Sequence, residues 1–325
     1  MPALITHYLF GEQLLASHEQ LKSLVTSEEE RTAFLVGNQG PDPLFFRWKD
    51  PLKFVSTSKL GSKLHASRMS AFFDELRFAL GRLPQTDQRV GRAFALGFLG
   101  HYTLDRMAHP FIYAQQYMIV DLGEGLEQSE GKVHALVESD LDSMMLWRLH
   151  RRTVEQDAPA DVLMCSSRSR RVAGALVAQA ANVALGEIVE PTLFGHAIED
   201  MTRFYQLSEP EGNPLSKLVG NFERLAKKDS LVQALGHKVV HDDRCAWANE
   251  EHAHWTHPFT GEDSCDSFQD RFDAALNDYV QVSQSFLDGA PAEKFTQHID
   301  YSGRHLDADE QSKRNMEPIR PWKHR

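Results

Sequence analysis

Residues 93–110, AFALGFLGHYTLDRMAHP, constrain the chain more than any other stretch. On a helix, residues three and four apart share a face, so Phe94, Gly97, Phe98, His101, Asp105 and Ala108 form one stripe. The phenylalanines require that stripe to be buried, and His101 and Asp105 go in with them. A buried carboxylate without a cationic partner is expensive. A metal ion answers that cost: His101 and Asp105 stand one turn apart, close enough to hold the same ion, and His109 follows one turn later. Pro110 biases its predecessor out of the α region, so the helix is expected to end at His109.

The same combination recurs. Apolar spacing predicts a helix over 133–148 with His134, Val137, Glu138, Leu141 and Met145 along one face, a second His and carboxylate pair one turn apart. A third helix is predicted from Thr6, as N-cap, to Lys22, with His7 in its first turn. A fourth is predicted over 58–80, with His65 beside the stripe of Leu60, Leu64, Met69 and Phe72. Between them GNQGPDP, residues 37–43, is a turn in which Asp42 is held between two prolines of fixed φ. Taken singly, His7 reads as a capping residue, His65 as a core histidine and Asp42 as an ordinary Asp-Pro turn. Together, His7, Asp42, His65, His101, Asp105, His109, His134 and Glu138 exceed what one tetrahedral zinc needs. Imidazole and carboxylate without thiolate is the ligand set of catalytic zinc, and two or three Zn2+ ions are implied.

The chain has 325 residues, 42% hydrophobic, enough for one large or two smaller domains. The expected fold is all-α: a multi-helix bundle around the cluster in 1–150, an appended helical region in 151–288, and a polar, extended tail in 289–325. In the appended region His237 and His241, like His252, His254 and His257, are expected in a solvated polar loop, and residues 149–325 are expected to supply no essential metal ligand. A net charge of −11 disfavours long nucleic acid and attraction to an anionic surface. Cys165, Cys245 and Cys265 form no close pair, so no disulfide framework is expected. MPALITHYLFG does not read as a signal peptide and no apolar run spans a bilayer, so a cytoplasmic protein without a transmembrane segment is expected.

The order of these residues resembles the bacterial zinc-dependent phospholipase C family, whose wider superfamily includes the single-strand-specific zinc nucleases. There an early His, a loop Asp, a His, a His-x-x-x-Asp, a further His and a His-x-x-x-Glu hold three zinc ions in an all-helical fold. Here these fall at His7, Asp42, His65, His101 with Asp105, His109, and His134 with Glu138. The resemblance covers residues 1 to about 148, and WTHPFTGEDSCDSF, residues 255–268, is similar to extensions of cytoplasmic members. It implies one ion held by Asp42, His65, His101 and Asp105, a second by His109, His134 and Glu138, and a third by His7, Asp105 and the N-terminus. It also implies a phosphodiester hydrolase in which metal-bound hydroxide attacks the phosphorus of a phospholipid, at a membrane surface, or of another phosphate ester. Asp42 is then ligand or proton acceptor and Asp105 the bridge between ions. The chain begins Met1-Pro2 rather than with the metal-ligating tryptophan of the secreted members. Pro43 stands where the phosphatidylcholine enzyme has an aromatic choline contact, which leaves the head group open, with Phe45, Phe46 or Trp48 as other cation-binding faces. The alternatives are nuclease-like or phosphomonoesterase activity on the same cluster, or a non-catalytic zinc-binding protein.

Overall fold

The computed structural model describes residues 3–123, 126, 129–209, 236–311 and 317–321. In chain order they form α1 (Leu4–Ser17), α2 (Glu19–Leu24), α3 (Glu28–Gly37), a 3-10 turn (Asp42–Phe46), α4 (Pro51–Ala66), α5 (Met69–Arg82), α6 (Gln88–Leu122) and α7 (Glu130–His150). A second 3-10 turn (Pro159–Leu163), α8 (Ser167–Leu185), α9 (Leu193–Ser208), α10 (Phe268–Leu287) and α11 (Glu293–Thr296) follow. The fold is all-α. The strands among the described residues, β1 (Trp255–Thr256) and β2 (Asp263–Ser264), make a two-residue antiparallel pair within the 255–268 segment. No helix among the described residues is long and apolar enough to cross a membrane.

The 93–110 stretch lies inside α6, a 35-residue helix buried along most of its length. Phe94, Phe98 and Leu99 pack into a core shared with Phe34, Phe73, Phe194, Phe272 and Tyr279. That core crosses the boundary expected near residue 150: α8 lies against α5, and α10 lies against α6. The described residues between 151 and 288 therefore complete the interior that the first half begins.

Two glycines set how closely α3 and α6 approach. A Cβ on Gly97 would lie 2.0 Å from the Phe34 carbonyl oxygen, and one on Gly37 would lie 2.3 Å from that of Phe94. Only hydrogen fits at either position, so the two backbones touch and Asn38, the C-cap of α3, comes to rest beside His101.

Several predicted boundaries move for tertiary reasons. α1 starts at Leu4 rather than after an N-cap at Thr6, because Asp142 of α7 accepts the amides of Ile5 and Thr6 at 2.9 and 2.8 Å and caps the helix from across the core. The single helix predicted over 58–80 is two: Arg68, at φ 59°, turns the chain between α4 and α5, and Glu310 accepts the amides of both Arg68 and Ser70. α6 does not end at His109 but runs through Pro110. Gly303, at φ +77°, packs where proline interrupts the ladder: a Cβ there would lie 2.4 Å from the Pro110 ring and 3.0 Å from the Arg106 carbonyl.

Those last two contacts correct the expected extended tail. Residues 290–311 fold back on the bundle: Phe295, Tyr301 and Leu306 are buried, and Ile299 pairs with His305. The segment carries enough apolar side chains to fill the hollow beside α5 and α6, a short pattern masked by its many polar residues.

The glycine crossing is testable. Gly97→Ala is expected to lower stability by about 1–3 kcal/mol, because two backbones must separate. Gly81→Ala, on an exposed face of α5 with nothing within 4 Å of the added methyl, is expected to raise it by roughly 0.5–1 kcal/mol. Denaturant unfolding of the two variants measures both, and equal stabilities would refute the close crossing.

Candidate metal centre

The eight residues read from the sequence lie in three contiguous groups: His7, His101 and Asp105; Asp42, His65 and His101; His109, His134 and Glu138, with the potential ligand atoms of each group within 4.8 Å of one another. His7 comes from the first turn of α1, Asp42 from the start of its 3-10 turn and His65 from the last turn of α4. His101, Asp105 and His109 descend one face of α6, and His134 and Glu138 face them from α7. All are buried except His65, which is half-buried.

Asp105 lies at the junction. Its Oδ1 is 3.0 Å from His7 Nε2, while its Oδ2 is 3.2 Å from His101 Nε2 and 3.6 Å from His109 Nδ1. Beyond it, His65 Nε2 is 3.0 Å from Asp42 Oδ1, and Glu138 Oε1 is 3.1 Å from His134 Nε2 and 3.4 Å from His109 Nε2. The His7 and His101 rings stack with centroids 4.0 Å apart. His101 thus belongs to two groups, and the two oxygens of Asp105 face different neighbours.

The outer partners fix which nitrogen faces inward. Nδ1 of His101 donates to the Asn38 carbonyl at 3.1 Å, that of His65 to Gly61 at 2.8 Å, and that of His109 to Tyr301 at 2.7 Å. His134 Nδ1 donates to the Gln116 side-chain oxygen at 2.8 Å. An acceptor at Nδ1 places the hydrogen there, so a neutral ring presents the lone pair of Nε2 to the centre, the usual outer-sphere arrangement of ligating histidines. His101 Nε2 and His7 Nδ1 are buried and make no hydrogen bond, which burial does not ordinarily permit. Gly40, at φ +50°, lies flat on the His101 ring, where a Cβ would fall 2.1 Å from its Cδ2. These residues fit a cluster of cations.

The local charge points the same way. Burial works against ionising Asp105 and Asp42, yet the imidazoles around them outweigh it and hold both carboxyls below their ordinary range, Asp105 well below. Burial likewise opposes the charge on His109, but Asp105 and Glu138 raise it to about 9. Burial lowers His101 and His134, keeping these rings neutral donors.

The terminus invoked for a third ion lies outside the described residues. His237 departs from the expected solvated loop: it is buried, with Nε2 2.9 Å from Asp142 and Nδ1 2.5 Å from Glu209. His241, His252 and His254 are exposed, and His257 is half-buried. The bridge at His237 uses opposite nitrogens, so its carboxylates cannot share one ion with it, and it serves instead to lock α7, α9 and the start of α1 together. Sequence reasoning missed Gln116 and Tyr301. Gln116 continues the stripe of Asp105 and His109, a signal available once α6 is run through Pro110. Tyr301 acts through its carbonyl, which every residue has, and left none.

Burial opposes the charge on His237, but Glu209 and Asp142 prevail and raise it to about 10. A histidine raised above its unfolded value, near 6.5, contributes stability that is fully present below that value and lost as pH rises through the folded one. The native protein is therefore expected to lose stability between about pH 7 and 10 in a step that His237→Gln lacks. The variant is expected to be weaker by about 3 kcal/mol at neutral pH, as when one partner of a buried pair is removed. Denaturant unfolding across that range checks both, and parallel profiles would contradict the assignment. Comparison of the chain with protein-family models, with curated proteins and with solved structures finds no match.

Proposed function

We propose that the cluster holds two to three zinc ions and hydrolyses phosphate esters, phosphodiesters foremost, in the manner of the phospholipase C family that the ligand order resembles. The observation that carries this reading is the sharing of ligands: His101 belongs to two groups, and Asp105, in one of them, has an oxygen 3.6 Å from His109 of the third, so bound cations would be neighbours rather than isolated sites. Adjacent dications lower the pKa of water towards about 7 and neutralise charge on a phosphoryl group during in-line displacement.

The chain's own groups then divide the work. Asp42 stands at the start of a stiff turn, held ionised below the ordinary carboxyl range, and would serve as a ligand or as proton acceptor for the attacking water. Asp105 would hold a cation beside His7 and His101, its two oxygens facing those rings at 3.0 and 3.2 Å. The Nε2 atoms of His65, His101 and His134 are aimed by their carbonyl partners, which removes the cost of orienting them at each turnover. Phe45 has its ring 5.5 Å from that of His65, beside the group of Asp42, His65 and His101. N and O donors without thiolate suit zinc. The free Cys165, Cys245 and Cys265 suit action in the cytoplasm.

Metal analysis of the purified protein and a panel of choline-ester, other diester, monoester and single-stranded DNA substrates test the proposal. At least two zinc ions per chain are expected, with diester cleavage that chelator abolishes and zinc restores. Asp105→Asn is expected to lose more zinc than His65→Ala and to reduce turnover beyond the roughly 10–100-fold typical of an outer-sphere partner. Less than one zinc per chain, or cleavage of monoesters alone, would overturn the reading. Full zinc without turnover of any substrate would leave a metal-binding protein in its place.

A further inference from the structure

We infer that Arg304 binds phosphate oxygens of the substrate beside the group of His109, His134 and Glu138, an inference that rests on the phosphate-ester reading. The ligand face of α6 continues past its last histidine: Tyr113, Tyr117 and Asp121 follow His109 at four-residue spacing. The Tyr113 ring is 5.8 Å from that of His109 and 5.0 Å from that of His134, and it stacks on Tyr117 at 5.9 Å. Two arginines meet this face. Arg304, half-buried, has its Cζ 5.8 Å from the centre of the Tyr113 ring and 4.2 Å from that of the buried Phe259, while Arg320 stands 4.8 Å from that of Tyr117. Tyr113 therefore neighbours both the metal centre and Arg304. Burial pushes the Tyr113 hydroxyl up to about 12, with Arg304 lowering it and Glu138 raising it, so both charges act at the same atom.

The two arginines differ in how their charge is met. Arg320 pairs with Asp121 and with Glu130. Arg304 makes no ion pair among the described residues, and its Nε is enclosed without a hydrogen-bond partner. A buried donor on a charged group is costly to leave unmade, and aromatic faces offset only part of that cost. The carboxylate nearest in sequence, Asp300, is turned to the backbone: its Oδ1 accepts the amides of Ser302 and Arg304 at 2.9 Å each. The same turn carries the Tyr301 carbonyl to His109 Nδ1 and sets Ser302 Oγ 3.5 Å from the Tyr113 hydroxyl. The loop that aims a histidine of the centre thus also fixes the backbone of Arg304 relative to it. In a chain of net charge −11, a cation kept apart from carboxylates at this place selects an anion. Its forked N–H groups match phosphate oxygens. A cationic head group is disfavoured here, because Phe259 and Tyr113 already hold a cation of the chain itself.

Calorimetric titration of the full chain, as purified, with inorganic phosphate tests it. The native protein is expected to bind phosphate. Arg304→Met keeps an unbranched stem on Phe259 and is expected to bind about tenfold or more weakly, the loss of a hydrogen bond to a charged group. Arg304→Lys keeps the charge without the fork and is expected to fall between the two. Arg82→Gln, which removes an exposed arginine in the last turn of α5, is expected to bind as the native protein does. No phosphate binding by the native protein, or equal binding by native and Arg304→Met, would overturn the inference. So would an equal loss in Arg82→Gln, which would reduce the effect to net charge. Should the methionine variant not fold, Arg304→Lys takes its place, and native affinity in it overturns the inference. The readout needs no turnover: Arg304-dependent binding in a protein that cleaves no ester refutes the hydrolase reading alone. An active enzyme in which Arg304→Met binds phosphate normally refutes this inference alone.

Discussion

The structure turns on a carboxylate that cannot be left alone. Asp105 is buried at the middle of α6, with His7, His101 and His109 within 3.6 Å of its oxygens. Its partners come from α1 and from the turns of α6 on either side, so meeting its charge fixes the rotation of one helix and the approach of another. Desolvation of an ion is among the largest local costs a fold can carry, and it falls here on a residue whose neighbours His101 and His109 belong to the other two groups. The neighbouring pairs, Asp42 with His65 and Glu138 with His134, repeat the solution on either flank.

What keeps that charge in place is backbone. The Gly37 and Gly97 contact brings the Asn38 carbonyl to His101, the turn of α4 offers the Gly61 carbonyl to His65, and the folded tail offers Tyr301 to His109. A carbonyl fixed in a packed segment has no rotamers to lose, which makes it a stiffer support than a side chain. Centre and core are in this respect one construction: Tyr301 sends its carbonyl to His109 while its ring packs against His65, His101 and Tyr102.

The parts of this arrangement that repeat along the chain were legible in the sequence. The α6 stripe gave away His101 and Asp105 because polar groups at helical spacing among phenylalanines contradict their surroundings, and His134 with Glu138 did so again. The parts that depend on distant partners were not. No local signal at Arg68 says that Glu310 will cap the helix after it, and none at Thr6 says that Asp142 will replace its cap. Pro110 argued for a helix end because the notch it makes is filled by Gly303, nearly two hundred residues away. His237 looked solvated because Asp142 and Glu209, its partners, lie on helices far from it in sequence.

The bond from His109 to Tyr301 spans 192 residues. Contacts of such separation close late, because the entropy of the intervening loop must be overcome before they form. On a ribosome the histidines of the cluster emerge well before Tyr301, which aims His109 and backs His65. A nascent chain therefore carries the donors long before it carries the centre. The segment around Tyr301 works as a delay: until it is made, the His109 ring lacks the carbonyl that aims it and His65 lacks the ring that backs it.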